Sequence, residues 1–106
     1  MIGLAMMLAA TGGSLSYQTG DDLWRDCGGA DVQHCIGYVI GAVDSIVMMD
    51  DFYRMPHHFC IDQTVRASQV REAVVAYLRK YPEQRGLNAS SIVWTAMGQA
   101  FPCSKA

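Results

Sequence analysis

The chain has 106 residues, enough for a single domain, and its formal net charge is −2 at neutral pH. This charge argues against a nucleic-acid partner, and the sequence has no cluster of basic residues of the kind that binds an anionic membrane surface. A domain of this size buries only a marginal core, so we expect covalent cross-links to contribute to its stability.

Residues 1–16 are predicted to form a signal peptide. They include an apolar run at residues 2–10, contain no charged residue, and place Ser14 and Ser16 at the −3 and −1 positions of a cleavage site. The positively charged segment that usually opens such a peptide is missing, and the run is too short to span a bilayer. The alternative, an N-terminal core helix, would have to include Gly12 and Gly13. We therefore expect export of a single mature domain, residues 17–106.

The first two predicted helices follow the leader. Residues 19–22 are expected to form a turn and cap for a short helix at residues 23–27, which Gly28 and Gly29 end. Asp31 is the expected cap of a longer second helix at residues 32–51.

The second helix has apolar residues at three- and four-residue steps, which predicts one buried face: Ile36, Val39, Ile40, Val43, Ile46 and Val47. Gly37 and Gly41 lie on a neighbouring face. Two glycines inside a helix cost about 1 kcal/mol each relative to alanine. We expect them to allow close packing of helices within the bundle, and the alternative is contact with a second subunit.

Two more helices complete the predicted bundle. The third spans residues 67–81 and ends at Pro82, and the fourth begins after its expected cap, Asn88. The loop between them is short and polar. The apolar stripes of the two helices consist of Val70, Val74, Tyr77, Leu78 and Tyr81, and of Ile92, Val93, Ala96, Met97 and Ala100. With no strand predicted, the fold class is all-α, a small bundle of four to five short helices.

The four cysteines are predicted to form two disulfides that staple this bundle. An even number of cysteines in a short exported chain indicates bridges. A second helix about 30 Å long separates Cys35 from Cys60, too far for a bond. The third and fourth helices should run antiparallel, which brings Cys60 beside Cys103. The predicted pairs are therefore Cys27–Cys35 and Cys60–Cys103.

We find no catalytic residue, metal site or cofactor site in the sequence. His34, His57 and His58 lie near cysteines, but no nucleophile motif and no zinc-ligand spacing surrounds them. Asp44 stands among apolar positions and is interpreted as a buried carboxylate with an arginine or backbone amide partner, a structural acceptor and not a general acid.

A family resemblance is carried by four segments in chain order: "YQTGDDLWRDC", "CIGYVIGAVDS", "FCIDQTVRASQVREAVVAYLRKYP" and "AFPC". Together they resemble the Rap/Tai family of type VI secretion immunity proteins over nearly all of the mature chain. The resemblance implies a periplasmic, all-helical and often dimeric protein that binds and inhibits a papain-like peptidoglycan amidase effector by blocking its active-site cleft. Where the family has a threonine cap on the third helix this chain has Arg66, so Thr64 or Ser68 is the expected cap.

The loop at residues 82–88 is the predicted effector-binding element. Its flanking helices are stapled at their opposite end, so its tip is presented on a rigid base, and similar proteins insert a loop into the amidase cleft. Gly86 would allow a sharp turn. The alternative is an ordinary solvated connection. The predicted binding residues are Glu83, Gln84, Arg85 and Asn88.

Two further expectations concern partners and function. A homodimer would form through the helix that carries Gly37 and Gly41. The competing function is that of a periplasmic acid-stress or chaperone-like helical protein, a class that exposes apolar surface when acidified. Abundant apolar helix faces keep that alternative open.

Overall fold

The structure, a computed structural model, describes residues 17–104; the predicted signal peptide lies outside the described residues. Helix α1 spans Gly20–Arg25 and continues into a π-helical turn, Asp26–Ala30. Helix α2 spans Val32–Phe52. Helix α3 spans Ala67–Lys80, and after a 3-10 turn at Pro82–Gln84, helix α4 spans Ala89–Ala100. Within the described residues there are four α-helices and no strand, which confirms the all-α prediction.

Side chains at three predicted positions cap the helices. The Thr19 hydroxyl accepts from the backbone N–H of Asp22 at 3.3 Å, and the Asp22 carboxylate accepts from the Thr19 N–H at 2.9 Å. This box starts α1 three residues earlier than predicted. Asp31 caps α2 and Asn88 caps α4, each by accepting a backbone N–H three residues ahead, which confirms both predictions.

The expected cap of α3 is wrong. Neither Thr64 nor Ser68 fills this role, because Arg66 occupies the cap position. Its backbone N–H donates to the Gln69 side chain at 2.7 Å. A side chain from within the helix therefore bonds the backbone at the helix start. Thr64 instead donates its backbone N–H to the Asp62 carboxylate at 2.8 Å in the preceding turn.

The core lies where α2, α3 and α4 meet, closed at one end by α1. Every helix contributes, and α3 packs most extensively against α4. The buried apolar residues are Leu23, Cys27, Cys35, Val39, Val43, Phe59, Val70, Val74, Leu78, Ala89, Ile92, Val93, Ala96 and Met97.

Both predicted disulfides are present and hold the two ends of the bundle. Cys27 and Cys35 join the turn after α1 to the start of α2, with Cα atoms 5.0 Å apart. Cys60 and Cys103 join the segment before α3 to the end of α4, with Cα atoms 4.8 Å apart. The backbone N–H of Cys60 also donates to the Phe101 carbonyl at 2.9 Å. Because Cys60 precedes α3 and Cys103 follows α4, this disulfide confirms that the two helices run antiparallel.

The predicted apolar face of α2 does face the core: Val39 and Val43 are buried, and Ile40, Ile46 and Val47 pack against the core. Cys35, Val39 and Val43 form its core stripe, and each glycine lies two residues away, about 200° around the helix. Gly37 and Gly41 are exposed, and a Cβ at either would meet no atom within 4 Å. The expectation of close packing inside the bundle is therefore wrong.

Asp44 is exposed rather than buried, so the interpretation of a buried carboxylate is also wrong. It follows Val43 of the core stripe and is turned about 100° away from it. By length and composition α2 alone among the described helices could cross a membrane, although the core helix of a soluble protein passes the same test.

Candidate functional site

The loop between α3 and α4, residues 82–88 and here called the tip loop, is a series of tight turns. The backbone N–H groups of Gln84, Arg85 and Leu87 each donate to a carbonyl three residues earlier, at 2.9, 3.2 and 3.0 Å. Gly86 does not adopt a left-handed conformation, so the turn does not depend on it in the predicted way. The loop is thus ordered by its own backbone.

The four predicted binding residues differ in exposure. Glu83 is exposed, whereas Gln84, Arg85 and Asn88 are half-buried. Asn88 is engaged in capping α4. The free chain therefore leaves the Glu83 carboxylate more accessible than the other three side chains.

The guanidinium of Arg85 is engaged within the chain. Its Nε and Nη2 donate to the Leu78 carbonyl at 3.1 and 2.9 Å. Its Cζ lies over the ring of Trp24 in α1, 3.8 Å from the ring centroid. The Leu78 carbonyl belongs to the last turn of α3, where carbonyls lack helical partners and the helix dipole favours a cation. Arg85 thus closes the end of α3 and joins it to α1.

The backbone at the start of α1 and just before it also holds the tip loop. The Gly20 N–H donates to the Leu87 carbonyl, and the Ala89 N–H donates to the Gln18 carbonyl, both at 2.8 Å. A Cβ at Gly20 would lie only 2.8 Å from the Arg85 Cα and carbonyl oxygen. A side chain at Gly20 would therefore overpack the point where α1 meets the loop.

A second feature is an open groove of about 710 Å³ along α2, here called the glycine groove. Its floor is formed by Gly37, Gly41 and Ala42, and its walls include Tyr38, Met49 and Trp94. Because the floor is exposed helix backbone, another chain could approach it closely.

Most of the exposed large apolar side chains line one of two grooves beside α2: Met49, Tyr53, Met55 and Trp94 line the glycine groove, and Met48, Phe52 and Ile61 line a second groove. Seven of nine lie at the end of α2, in the following segment or on α4: Met48, Met49, Phe52, Tyr53, Met55, Ile61 and Trp94. We call this set the apolar patch. Exposed apolar side chains concentrated in one part of a protein are typical of interaction sites. Sequence reasoning missed Trp94, although a tryptophan outside the predicted stripe of α4 was the available signal.

The histidine-containing segment fixes one edge of the patch. The His58 ring stacks on Trp94 with centroids 3.5 Å apart, and its backbone N–H donates to the buried Asp50 carboxylate at 3.2 Å. His57 Nε2 lies 2.7 Å from Asp51 Oδ1, and this hydrogen bond raises the pKa of the His57 imidazole. The segment is therefore held against both α2 and α4.

A polar cluster supports the other disulfide. Asp26 is buried and accepts from Arg25 at 3.2 Å, and its other oxygen lies 3.0 Å from His34 Nδ1. The His34 hydrogen bond lowers the pKa of the Asp26 carboxyl. Arg71 of α3 donates to the Cys27 carbonyl at 2.9 Å. These bonds orient the turn between α1 and α2.

The described residues contain neither a free thiol nor a cluster of metal-ligating side chains. All four cysteines are in disulfides, so none is a thiol nucleophile. Within residues 17–104 no three His, Cys, Asp or Glu side chains come together as metal ligands.

Comparison with known proteins gives one match. The model of a family described as Rap1a immunity proteins matches residues 19–103. No curated protein and no solved structure matches the chain significantly.

Proposed function

The chain belongs to the Rap1a immunity proteins, a family that acts against secreted effectors, and we propose that it binds and inhibits a peptidoglycan amidase delivered by type VI secretion. This specific target follows from the resemblance of the sequence to the Rap/Tai immunity proteins. Inhibition needs only a surface that covers the active site, which agrees with a chain whose prominent features are a fixed loop and an apolar patch.

The tip loop, which carries Glu83, Gln84, Arg85 and Asn88, is the proposed inhibitory element. The observation that carries this proposal is its fixation at three points. The Cys60–Cys103 bridge ties the far ends of its flanking helices, Arg85 ties it to Trp24, and backbone bonds tie it to α1. A loop already ordered in the free protein pays little entropy on binding. Inserted in the groove of a papain-like hydrolase, it would exclude substrate from the catalytic cysteine and histidine.

The proposed compartment is the periplasm. Two disulfides that use every cysteine suit an oxidising environment. The same compartment contains the peptidoglycan that an amidase would attack, and the predicted signal peptide at residues 1–16 would deliver the chain there.

We also propose that two copies associate through the glycine groove. Gly37 and Gly41 each cost α2 about 1 kcal/mol of helix propensity, and no contact within the described chain offsets that cost. A helix from a second copy could pack directly on this floor and cover Trp94 and Met49. A two-fold axis would make the interface self-complementary.

The experiment measures peptidoglycan hydrolysis by a panel of purified secreted amidases, including any encoded beside the gene for this chain. The expected result is stoichiometric inhibition of at least one papain-like amidase. Undiminished hydrolysis by every amidase at molar excess of folded protein would contradict the proposal.

A chaperone-like envelope role is the second candidate, and the exposed apolar patch favours it. Its test is the aggregation of a denatured client protein at acidic pH. Suppression of aggregation together with failure to inhibit any amidase would select this role.

A further inference from the structure

We propose that the tip loop contacts its partner through Glu83 and Leu87, whereas Arg85 is a positioning residue that holds the loop against α1. This inference rests on the proposed function. It changes the predicted set of binding residues, because it adds Leu87 and assigns Arg85 a role inside the chain.

Leu87 is an exposed apolar side chain in an otherwise polar loop. It is 49% exposed, although its backbone is fixed on both sides by the bonds to Gln84 and Gly20. It also lies outside the apolar patch. An exposed leucine on a fixed backbone suits an apolar pocket on a partner. Because this backbone is already ordered in the free chain, binding loses little further conformational entropy.

Glu83 gives the tip loop an exposed negative charge. It is exposed in the 3-10 turn, four residues before Leu87. The complementary site would therefore offer an apolar pocket beside a cation or hydrogen-bond donor. The protonated histidine of a cysteine–histidine pair is one such group.

Arg85 has the opposite character, because its donors face inward. Two of them satisfy the Leu78 carbonyl, and the guanidinium lies over Trp24. If Arg85 turned toward a partner, the Leu78 carbonyl would lose both hydrogen bonds. The Trp24 indole would lose its contact with the guanidinium. The arginine therefore fixes the first half of the loop, while the Gly20–Leu87 bond fixes the second half.

The test combines affinity for an inhibited amidase with hydrogen exchange of the free chain. The backbone amides of Gln84 and Leu87 report loop order, because each is bonded within the turns. Leu87→Ala and Glu83→Gln should each weaken the complex by about tenfold and leave both exchange rates unchanged. Ile36→Ala, at a half-buried aliphatic residue outside the tip loop, the glycine groove and the apolar patch, is the control for Leu87.

Arg85→Ala should weaken the complex and also speed exchange at both amides by about tenfold, without loss of helix content. Arg85→Lys should recover only part of the protection, because lysine cannot make the paired bonds or the guanidinium contact with Trp24. Arg79→Ala removes an equally charged, exposed side chain from the same end of α3 and should change neither measurement.

Two results would overturn the inference. Weaker binding of Arg85→Ala with unchanged exchange would place Arg85 in the interface, and full affinity of both Leu87→Ala and Glu83→Gln would place the contact elsewhere. If the wild-type chain binds no amidase, the proposed function fails; unchanged exchange in Arg85→Ala would still refute the positioning role by itself.

Discussion

Replacing single glycines by alanine should change stability in opposite directions at Gly20 and Gly41. At Gly20 the new methyl group would lie 2.8 Å from the Arg85 Cα and carbonyl oxygen and 3.0 Å from its carbonyl carbon. These are backbone atoms, which cannot rotate away as a side chain would. Overpacking of this kind costs about 1–3 kcal/mol. Because Gly20 opens α1, the gain in helix propensity is smaller than in a helix interior, and we expect a net loss of about 1–2 kcal/mol.

At Gly41 the methyl group would meet no atom within 4 Å. The position is inside α2, so alanine should stabilise the chain by about 1 kcal/mol. For a domain of this size the melting temperature should fall by about 4–16 °C for Gly20→Ala and rise by about 4–8 °C for Gly41→Ala.

Thermal and urea unfolding followed by circular dichroism would measure both changes, at concentrations where sedimentation shows the variants to be monomers. Gly37→Ala is the matched control for Gly41, because its site is equally open. Wild-type stability of Gly20→Ala would refute the close approach of α1 to the tip loop. A destabilised Gly41→Ala monomer would refute the open glycine groove.

Three further predictions concern the Cys60–Cys103 disulfide, the pair of His57 with Asp51, and the glycine groove. Replacing Cys60 and Cys103 together by serine should lower the free energy of unfolding by about 3–4 kcal/mol, measured in urea; a loss below about 1 kcal/mol would contradict a stabilising staple. The hydrogen bond with Asp51 raises the pKa of His57 in the folded chain. The pair should therefore stabilise the fold most below the unfolded-state pKa of histidine, about 6.5. This stabilisation should be lost as pH rises through the folded-state pKa of His57. Asp51→Asn should therefore reduce stability at pH 5.5 more than at pH 8.5, and equal losses would argue against this pairing. Gly41→Leu should leave the helix content intact and abolish any homodimer in sedimentation, whereas a persistent dimer would place the interface elsewhere.

Local sequence rules predicted much of the fold. Asp31 and Asn88 were identifiable as caps because a cap depends only on the next three residues. The disulfide pairing was also predictable, since the length of α2 and the short loop between α3 and α4 left one arrangement in which the bridges could close.

The three- and four-residue period also predicted the core face of α2, but the surroundings of Gly37 and Gly41 could not be predicted from it. A face beside the core stripe can be covered by a neighbouring helix or left open, and the apolar period of the helix itself does not decide which. The choice is made by the contacts of Cys35, Val39 and Val43 with the other helices, and it leaves Gly37 and Gly41 exposed.

The candidate site was predicted as a loop but not as a set of contacts. The position of residues 82–88 follows from Pro82 and the cap at Asn88, both local signals. The role of Arg85 depends on Trp24, a residue distant in sequence, and no pattern near either one indicates that they meet. The backbone bond from Gly20 to Leu87 likewise joins residues distant in sequence, so no local pattern near Leu87 indicates it.

Survival of bacteria that produce a secreted peptidoglycan amidase in their own periplasm tests the central claim most directly. The amidase should be one that the purified chain inhibits, and residues 17–106 should be supplied either behind a working export signal or without one. The account predicts that the exported chain prevents lysis and that the unexported chain does not. Lysis that continues unchanged with abundant, folded, exported protein would contradict the role of an immunity protein in the periplasm.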